Sequence, residues 1–182
     1  MTANTETDLD EATVLHGRRA LLRAAAASAV FGVGAWTVGP QAAVAAPVGS
    51  PLRLPDVPLV GGGRYGEAQA RGKVLVLYWW ATWCPFCAEQ SPLVHELWLK
   101  HRARGLEVLA ISIDKQEATV REYLAAKGYR YPVAMNTPAL ASVLPKPKGL
   151  PVTWVRGREG TVVFAEAGQL FPEDIQAFET YL

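Results

Sequence analysis

An α/β fold built on a mixed sheet flanked by helices is predicted by three stretches of the 182-residue chain. Val74-Leu75-Val76-Leu77-Tyr78-Trp79-Trp80 is apolar on both faces of any strand it forms, which suits an interior strand covered from both sides. Leu106 to Asp114 reads as a second strand, and a helical segment between the two makes the right-handed crossover that joins parallel neighbours. Val152-Thr153-Trp154-Val155 and Thr161-Val162-Val163-Phe164-Ala165, separated by Arg156-Gly157-Arg158-Glu159-Gly160, add an antiparallel hairpin.

Taken from the start, residues 1–45 read as an address rather than as fold. Gly17-Arg18-Arg19-Ala20-Leu21-Leu22-Arg23, followed by a weakly apolar Ala/Gly-rich stretch over 24–39, resembles a twin-arginine export signal, with Gly17 ahead of the arginine pair and Leu21 where an aromatic is common. Pro40 breaks the stretch, and the small residues Ala43-Val44-Ala45 predict cleavage after Ala45. The stretch falls short of the ~20 strongly apolar residues that a spanning helix needs, so cleavage is expected rather than retention as an anchor. Either outcome predicts a periplasmic setting for the rest. Residues 46–72, with Pro47, Pro51, Pro55, Pro58 and Gly61-Gly62-Gly63, read as an exposed leader holding one short edge strand and no function.

Residues 73–182 are expected to form one domain. After Val74–Trp80, a helix runs to about Arg104, with Leu93, Val94, Leu97 and Trp98 at helical spacing and Gly105 as terminator. Pro92 inside it removes one backbone hydrogen bond and should bend the axis. A second helix over about 117–127 turns Val120, Tyr123 and Leu124 inward before Gly128, and Pro172 begins a terminal helix with Ile175, Phe178 and Leu182 on one side.

Composition narrows the chemistry. With 18 Lys+Arg against 17 Asp+Glu the net charge is +1, which gives no polyanion footprint and excludes nucleic acid as a partner. The two cysteines, Cys84 and Cys87, sit in Trp83-Cys84-Pro85-Phe86-Cys87 directly after the apolar strand. A strand emptying into Cys-x-x-Cys at the start of a helix places the first sulfur against unpaired N–H groups, which favour thiolate over thiol. A zinc site would need further ligands; there is no third cysteine, and His95 and His101, six apart on one helix, share no face and read as surface residues. Ala88 excludes the Cys-x-x-Cys-His attachment of a c-type haem. No metal and no cofactor are expected.

The element order, together with Trp80-Ala81-Thr82-Trp83-Cys84-Pro85-Phe86-Cys87, Pro92 and Gly149-Leu150-Pro151-Val152-Thr153, resembles the thioredoxin-like superfamily and, in an exported form, the TlpA-type disulfide reductases. The likeness covers about 72–182. It implies a thioredoxin-like fold and a cis Leu150-Pro151 bond facing the cysteines, where backbone groups pair with an extended substrate segment. It also exposes two departures. Thioredoxins hold a buried carboxylate and a lysine at the positions of Tyr78 and Ala110, so the proton of Cys87 is left to water, Tyr78 or Glu89, and neither side chain is a convincing base.

The resulting expectation is an exported protein disulfide reductase. Cys84 is the accessible nucleophile and Cys87 the sheltered resolving thiol, with Pro85 fixing the first helical turn. Trp83, Pro85, Phe86, Leu150 and Pro151 are the expected substrate-binding residues, Trp80 leans toward the core, and Lys146 and Lys148 are solubilising or steer an acidic partner. Expected partners are disulfide-containing extracytoplasmic proteins and a membrane thiol electron donor, with the chain itself a monomer. Two alternatives stand beside this: reduction of apocytochrome c, since Cys-Pro-x-Cys also resembles cytochrome c maturation thioredoxins, and a Cu(I)-binding module using both sulfurs. A peroxidase is disfavoured because Thr82 stands two residues, not three, before Cys84.

Overall fold

The computed structural model describes residues 48–146 and 148–182; the twin-arginine segment and the cleavage site at Ala45 lie outside the described residues. The chain order is β1 (Val57–Pro58), β2 (Arg64–Tyr65), α1 (Glu67–Ala70), β3 (Val74–Trp80), α2 (Pro85–His101), β4 (Leu106–Ser112), α3 (Glu117–Lys127), β5 (Val133–Met135), α4 (Pro138–Val143), β6 (Val152–Arg156), β7 (Val162–Ala167) and α5 (Pro172–Ala177). Short 3₁₀ turns follow α2 at Arg102–Arg104 and α5 at Phe178–Tyr181.

β3 has no exposed residue because it lies at the centre of a five-stranded mixed sheet of order β5-β4-β3-β6-β7. It runs parallel to β4, from Val74↔Leu106 to Trp80↔Ser112, and antiparallel to β6, from Leu75↔Arg156 to Trp79↔Val152. The alternation of a strand then sorts its side chains into two cores. Val74, Val76, Tyr78 and Trp80 pack with Cys84, Cys87, Val94 and Leu97 of the α2 region and with Ile175 and Phe178. Leu75, Leu77 and Trp79 pack on the other side with Leu140, Leu144 and Trp154. Pro92 lies inside α2 and the helix continues through it. Gly105, at φ 91°, takes the left-handed conformation that ends this segment and returns the chain to β4.

Two parts of the fold differ from expectation. β5, three residues parallel to β4, and α4 arise from 129–144, where the apolar runs are too short to show a period. The leader is not simply exposed: Leu52, Leu54, Val57, Tyr65 and Ala70 are buried against Leu75, Leu77 and Trp79. Its backbone also covers both sheet edges, with Val60 N–H donating to Val133 O (2.8 Å) at β5 and Gly49 N–H to Val162 O (2.7 Å) at β7. Arg156, expected in the hairpin turn, is the last residue of β6 and is fully buried under this segment. Its Nη1 donates to Glu67 Oε2 (2.8 Å) and Leu52 O (3.2 Å), and its Nη2 to Ala70 O (2.8 Å).

Candidate active site

The carboxyl ends of the parallel strands β3 and β4 converge on the cysteines. Asp114, just past β4, accepts from Thr82 N–H (3.0 Å), Thr82 Oγ1–H (2.6 Å) and Ser112 Oγ–H (2.7 Å), which locks the short loop between β3 and α2 to the neighbouring strand. Cys84 N–H donates to Ala81 O (3.2 Å), closing a turn that hands the chain to the helix. Cys84 is the N-cap of α2 and Pro85 its first residue, a position whose missing N–H would have had no partner within the helix. The Cys84 Sγ accepts from Cys87 N–H at 3.2 Å, so the sulfur occupies the place of a capping oxygen at the positive end of the helix. The two sulfurs are joined as a disulfide, with the Cα atoms 5.2 Å apart.

Cys87 is wholly buried, as expected of the sheltered thiol, but Cys84 is only 5% exposed, less open than the sequence suggests. Its access is through a groove lined by Trp83, Cys84, Pro85, Phe86, Ile113, Lys146, Gly149 and Leu150. Trp83 (67% exposed) and Phe86 (55%) stand out from the surface and are not packing residues, whereas Trp80 is fully buried with its ring against Tyr123. The Leu150–Pro151 peptide is cis. Leu150 forms part of the groove wall, and Pro151 lies buried behind it, outside the groove lining. Gly149, at φ 87°, supplies the left-handed turn that leads into this bond. Lys146 Nζ donates to Gly149 O (2.9 Å), so this lysine braces the turn, and partial burial pulls its pKa below the ordinary lysine value; Lys148 is exposed.

Beneath the disulfide, Tyr78 and Ala110 are register partners on β3 and β4. The buried Tyr78 hydroxyl donates to Cys87 O (3.2 Å) and lies 3.0 Å from Ser91 Oγ, and burial pushes its pKa far above the ordinary phenol value. It is a hydrogen-bonding post and not a base. Glu89 is exposed and accepts from Gln169 Nε2 (2.6 Å), which gives it the role of a solvated helix carboxylate.

Of the two histidines on α2, His101 is buried rather than at the surface, and His95 is partly covered. His101 is 2% exposed, with Nε2 2.9 Å from Glu179 Oε1. His95 is half-buried among Trp98, Tyr129 and Tyr131, and desolvation lowers its pKa. Both lie on α2 where it turns toward neighbouring segments, which spacing along one helix does not reveal. Among the described residues, no group of three or more His, Cys, Asp or Glu side chains could hold a metal ion, and no helix is long and apolar enough to cross a membrane.

Sequence reasoning missed the polar residues that build the site: Thr82, Gln90, Ser91, Ser112, Asp114 and Thr153. A signal existed for two of them. Gln90 and Ser91 fall on the same helical stripe as Cys87 and Val94, so their inward placement follows from the period. Their partners come from strands distant in sequence and leave no local trace.

Comparison with known proteins agrees with this geometry. A family model described as the AhpC/TSA family matches residues 51–165. Among curated proteins, the chain is similar to a thiol-disulfide oxidoreductase ResA from Bacillus cereus, at 27% identity over 110 residues, covering 59% of this chain and 62% of that protein. The chain thus spans about three fifths of the length of the curated relatives it matches. Among solved structures, a thiol:disulfide interchange protein of the thioredoxin family from Chlorobium tepidum TLS superposes with a TM-score of 0.69 at 24% identity, covering 76% of this chain and 99% of that one. A secreted Mycobacterium tuberculosis disulfide oxidoreductase homologous to E. coli DsbE gives a TM-score of 0.61 at 15% identity, covering 71% and 96%. The fold is thioredoxin-like.

Proposed function

The chain belongs to the AhpC/TSA family, and from that premise we propose that it is an exported thiol-disulfide oxidoreductase of TlpA type that reduces disulfides of extracytoplasmic proteins. The observation that carries the reading is the Cys84 sulfur at the N-cap of α2, bonded to its partner Cys87 and opening onto a groove beside the cis Leu150–Pro151 bond. The ResA designation of its relatives supports the same chemistry.

In the reduced protein the Cys84 thiolate, held by the Cys87 N–H and the helix terminus, attacks one sulfur of a partner disulfide. The partner's S–S bond breaks, a mixed disulfide forms, and the departing partner thiolate takes a proton from water. Cys87 then loses its proton, attacks the Cys84 sulfur and releases the second partner thiolate, which is protonated in turn. Two electrons have moved to the partner, and the Cys84–Cys87 disulfide remains for a membrane thiol donor to reduce. The Cys87 proton passes to water admitted when the mixed disulfide draws Cys84 away from it, because Tyr78 is held as a neutral phenol and Glu89 is engaged at the surface. Trp83, Pro85, Phe86 and Leu150 receive the apolar part of the partner, and Pro151 sets the wall behind them.

Residues 1–45 act as the export signal, 46–72 as a leader whose described part, 48–72, packs on the domain formed by 73–182, and the mature protein works as a monomer in the periplasm. A redox titration against glutathione, read by gel shift of the two thiols, tests the direction of electron flow: a strongly reducing midpoint is expected, and a strongly oxidising one overturns the reductant assignment. Cys84→Ser abolishes exchange and Cys87→Ser accumulates the mixed disulfide; a Cys84→Ser protein that still turns over rejects the mechanism.

A further inference from the structure

Gln90 lies one helical turn beyond Cys87 on α2 and has no solvent exposure. A buried primary amide is costly unless both ends are hydrogen-bonded, and here the partners define which end is which. Leu170 N–H can only donate, so the amide oxygen faces it at 2.8 Å, and the amide nitrogen donates to Thr153 Oγ1 at 2.9 Å. Thr153 is itself fully buried, pairs with Tyr78 across the β3–β6 register, and follows the cis Leu150–Pro151 bond by two residues. Leu170 is buried in the segment that leads into α5.

One side chain therefore joins the helix that carries the cysteines to the strand that carries the cis proline and to the segment after β7. The groove beside Cys84 is walled on one side by Trp83, Pro85 and Phe86 from α2 and its entry loop, and on the other by Gly149 and Leu150 from the entry to β6. Its width is the separation between α2 and the start of β6. The sheet fixes β6 against β3, and Asp114 fixes the loop before α2 against β4, but the Gln90–Thr153 bond links α2 to β6 directly.

We propose that Gln90 is a positioning residue for the substrate: it holds the Leu150–Pro151 wall at its working distance from the Cys84 sulfur, so the groove is formed before a protein disulfide arrives. The inference rests on the exchange chemistry proposed for Cys84. A preformed groove benefits a peptide that fills it and is indifferent to a small thiol that touches only the sulfur.

The test uses the Cys87→Ser protein, in which Cys84 equilibrates between a mixed disulfide with a short cysteine peptide and one with glutathione. In that exchange the incoming thiolate forms one S–S bond as another breaks, and no further oxidant is needed. Adding Gln90→Ala is expected to lower the preference for peptide over glutathione roughly three- to tenfold, the range set by losing the one of its two buried hydrogen bonds that joins α2 to β6. The rate of Cys84 alkylation by iodoacetamide stays unchanged. Gln90→Glu keeps the preference, because burial with no counter-charge holds the carboxyl as the neutral acid, whose carbonyl oxygen still meets the Leu170 N–H and whose O–H donates to Thr153 Oγ1. Thr153→Val removes only the hydroxyl and is expected to reproduce the loss even where Gln90→Ala does not fold. An unchanged preference in Thr153→Val and Gln90→Ala overturns the proposal. So does alkylation that falls in step with the preference, or a Gln90→Glu protein as weak as Gln90→Ala. A Cys87→Ser protein that forms no mixed disulfide with either thiol overturns the exchange reading and this proposal together, whereas loss of the contrast among variants overturns the proposal alone.

Discussion

Replacing Arg156 by Met tests whether the segment before β3 belongs to the folding unit. The guanidinium is 1% exposed and holds three oxygens of that segment: Glu67 Oε2 at 2.8 Å, Ala70 O at 2.8 Å and Leu52 O at 3.2 Å. Methionine fills much of the volume but donates nothing, so the carbonyls of Leu52 and Ala70 lose a partner and Glu67 loses its counter-charge. Breaking a buried pair from one side costs about 3–5 kcal/mol. The Glu67 side chain keeps 27% exposure and can rehydrate, which favours the low end, about 3 kcal/mol. In urea this corresponds to a midpoint lower by roughly 1–3 M. The penalty depends on pH. Burial raises the Glu67 pKa, but the Leu54 N–H and Arg156 outweigh it and hold the group below the ordinary carboxylate range. A depressed folded-state pKa contributes stability that is complete above the unfolded value of about 4.3 and is lost as pH falls through the folded one. The gap between wild type and Arg156→Met is therefore widest near neutrality and narrows in acid below about pH 4. Denaturation curves followed by tryptophan fluorescence at neutral and acid pH check this, with exchange at Cys84 unaffected. A loss under about 1 kcal/mol at neutral pH, or a gap that widens in acid, refutes the claim that Arg156 anchors the leader.

Tyr78→Phe is expected to cost about 1 kcal/mol, the worth of one buried hydrogen bond, while the pH–rate profile of exchange keeps its shape, since a phenol whose pKa burial drives upward does not titrate near neutrality. The same raised pKa means that the Tyr78 contribution to stability is present below about pH 10 and declines above it, which alkaline denaturation of the two proteins compares. Asp114→Ala strands three donors from Thr82 and Ser112 and is expected to cost about 2 kcal/mol, with faster hydrogen exchange at the Thr82 amide as the local readout. Trp83→Ala, at a side chain mostly in solvent, should leave stability within about 0.5 kcal/mol while raising KM for a protein disulfide, measured by reduction of a disulfide-bonded protein under steady-state conditions.

Of the residues these predictions fall on, Trp83 and Tyr78 are visible in the sequence, whereas the parts played by Asp114 and Arg156 are not, and the reason is physical. β3 was legible because a strand buried on both faces must be apolar throughout, and α2 because its inward stripe repeats at the helical period. The cysteines were legible because their spacing and their place at a strand-to-helix junction are both local, and the cis Leu150–Pro151 bond was reached through family resemblance, not through the residues themselves. Thr153 and Asp114 carry no such signal, and for Gln90 the helical period gives an inward placement but no partner: a single polar residue reads as solvated unless its partner is known, and each partner here sits on another strand or loop. The leader misled for a related reason. Its prolines and glycines describe turns correctly, but Leu52, Leu54 and Val57 are too scattered to show a period; they are buried against Leu75, Leu77 and Trp79 of β3, and the residue that ties their backbone down is Arg156, about a hundred positions away, which looks like part of a hairpin turn. A redox site of this kind is thus split between two kinds of information. The reacting atoms are written locally, in Trp83-Cys84-Pro85-Phe86-Cys87, whereas the rigidity that makes a thiolate selective for one partner is held by buried polar contacts between segments, which only the folded chain brings together.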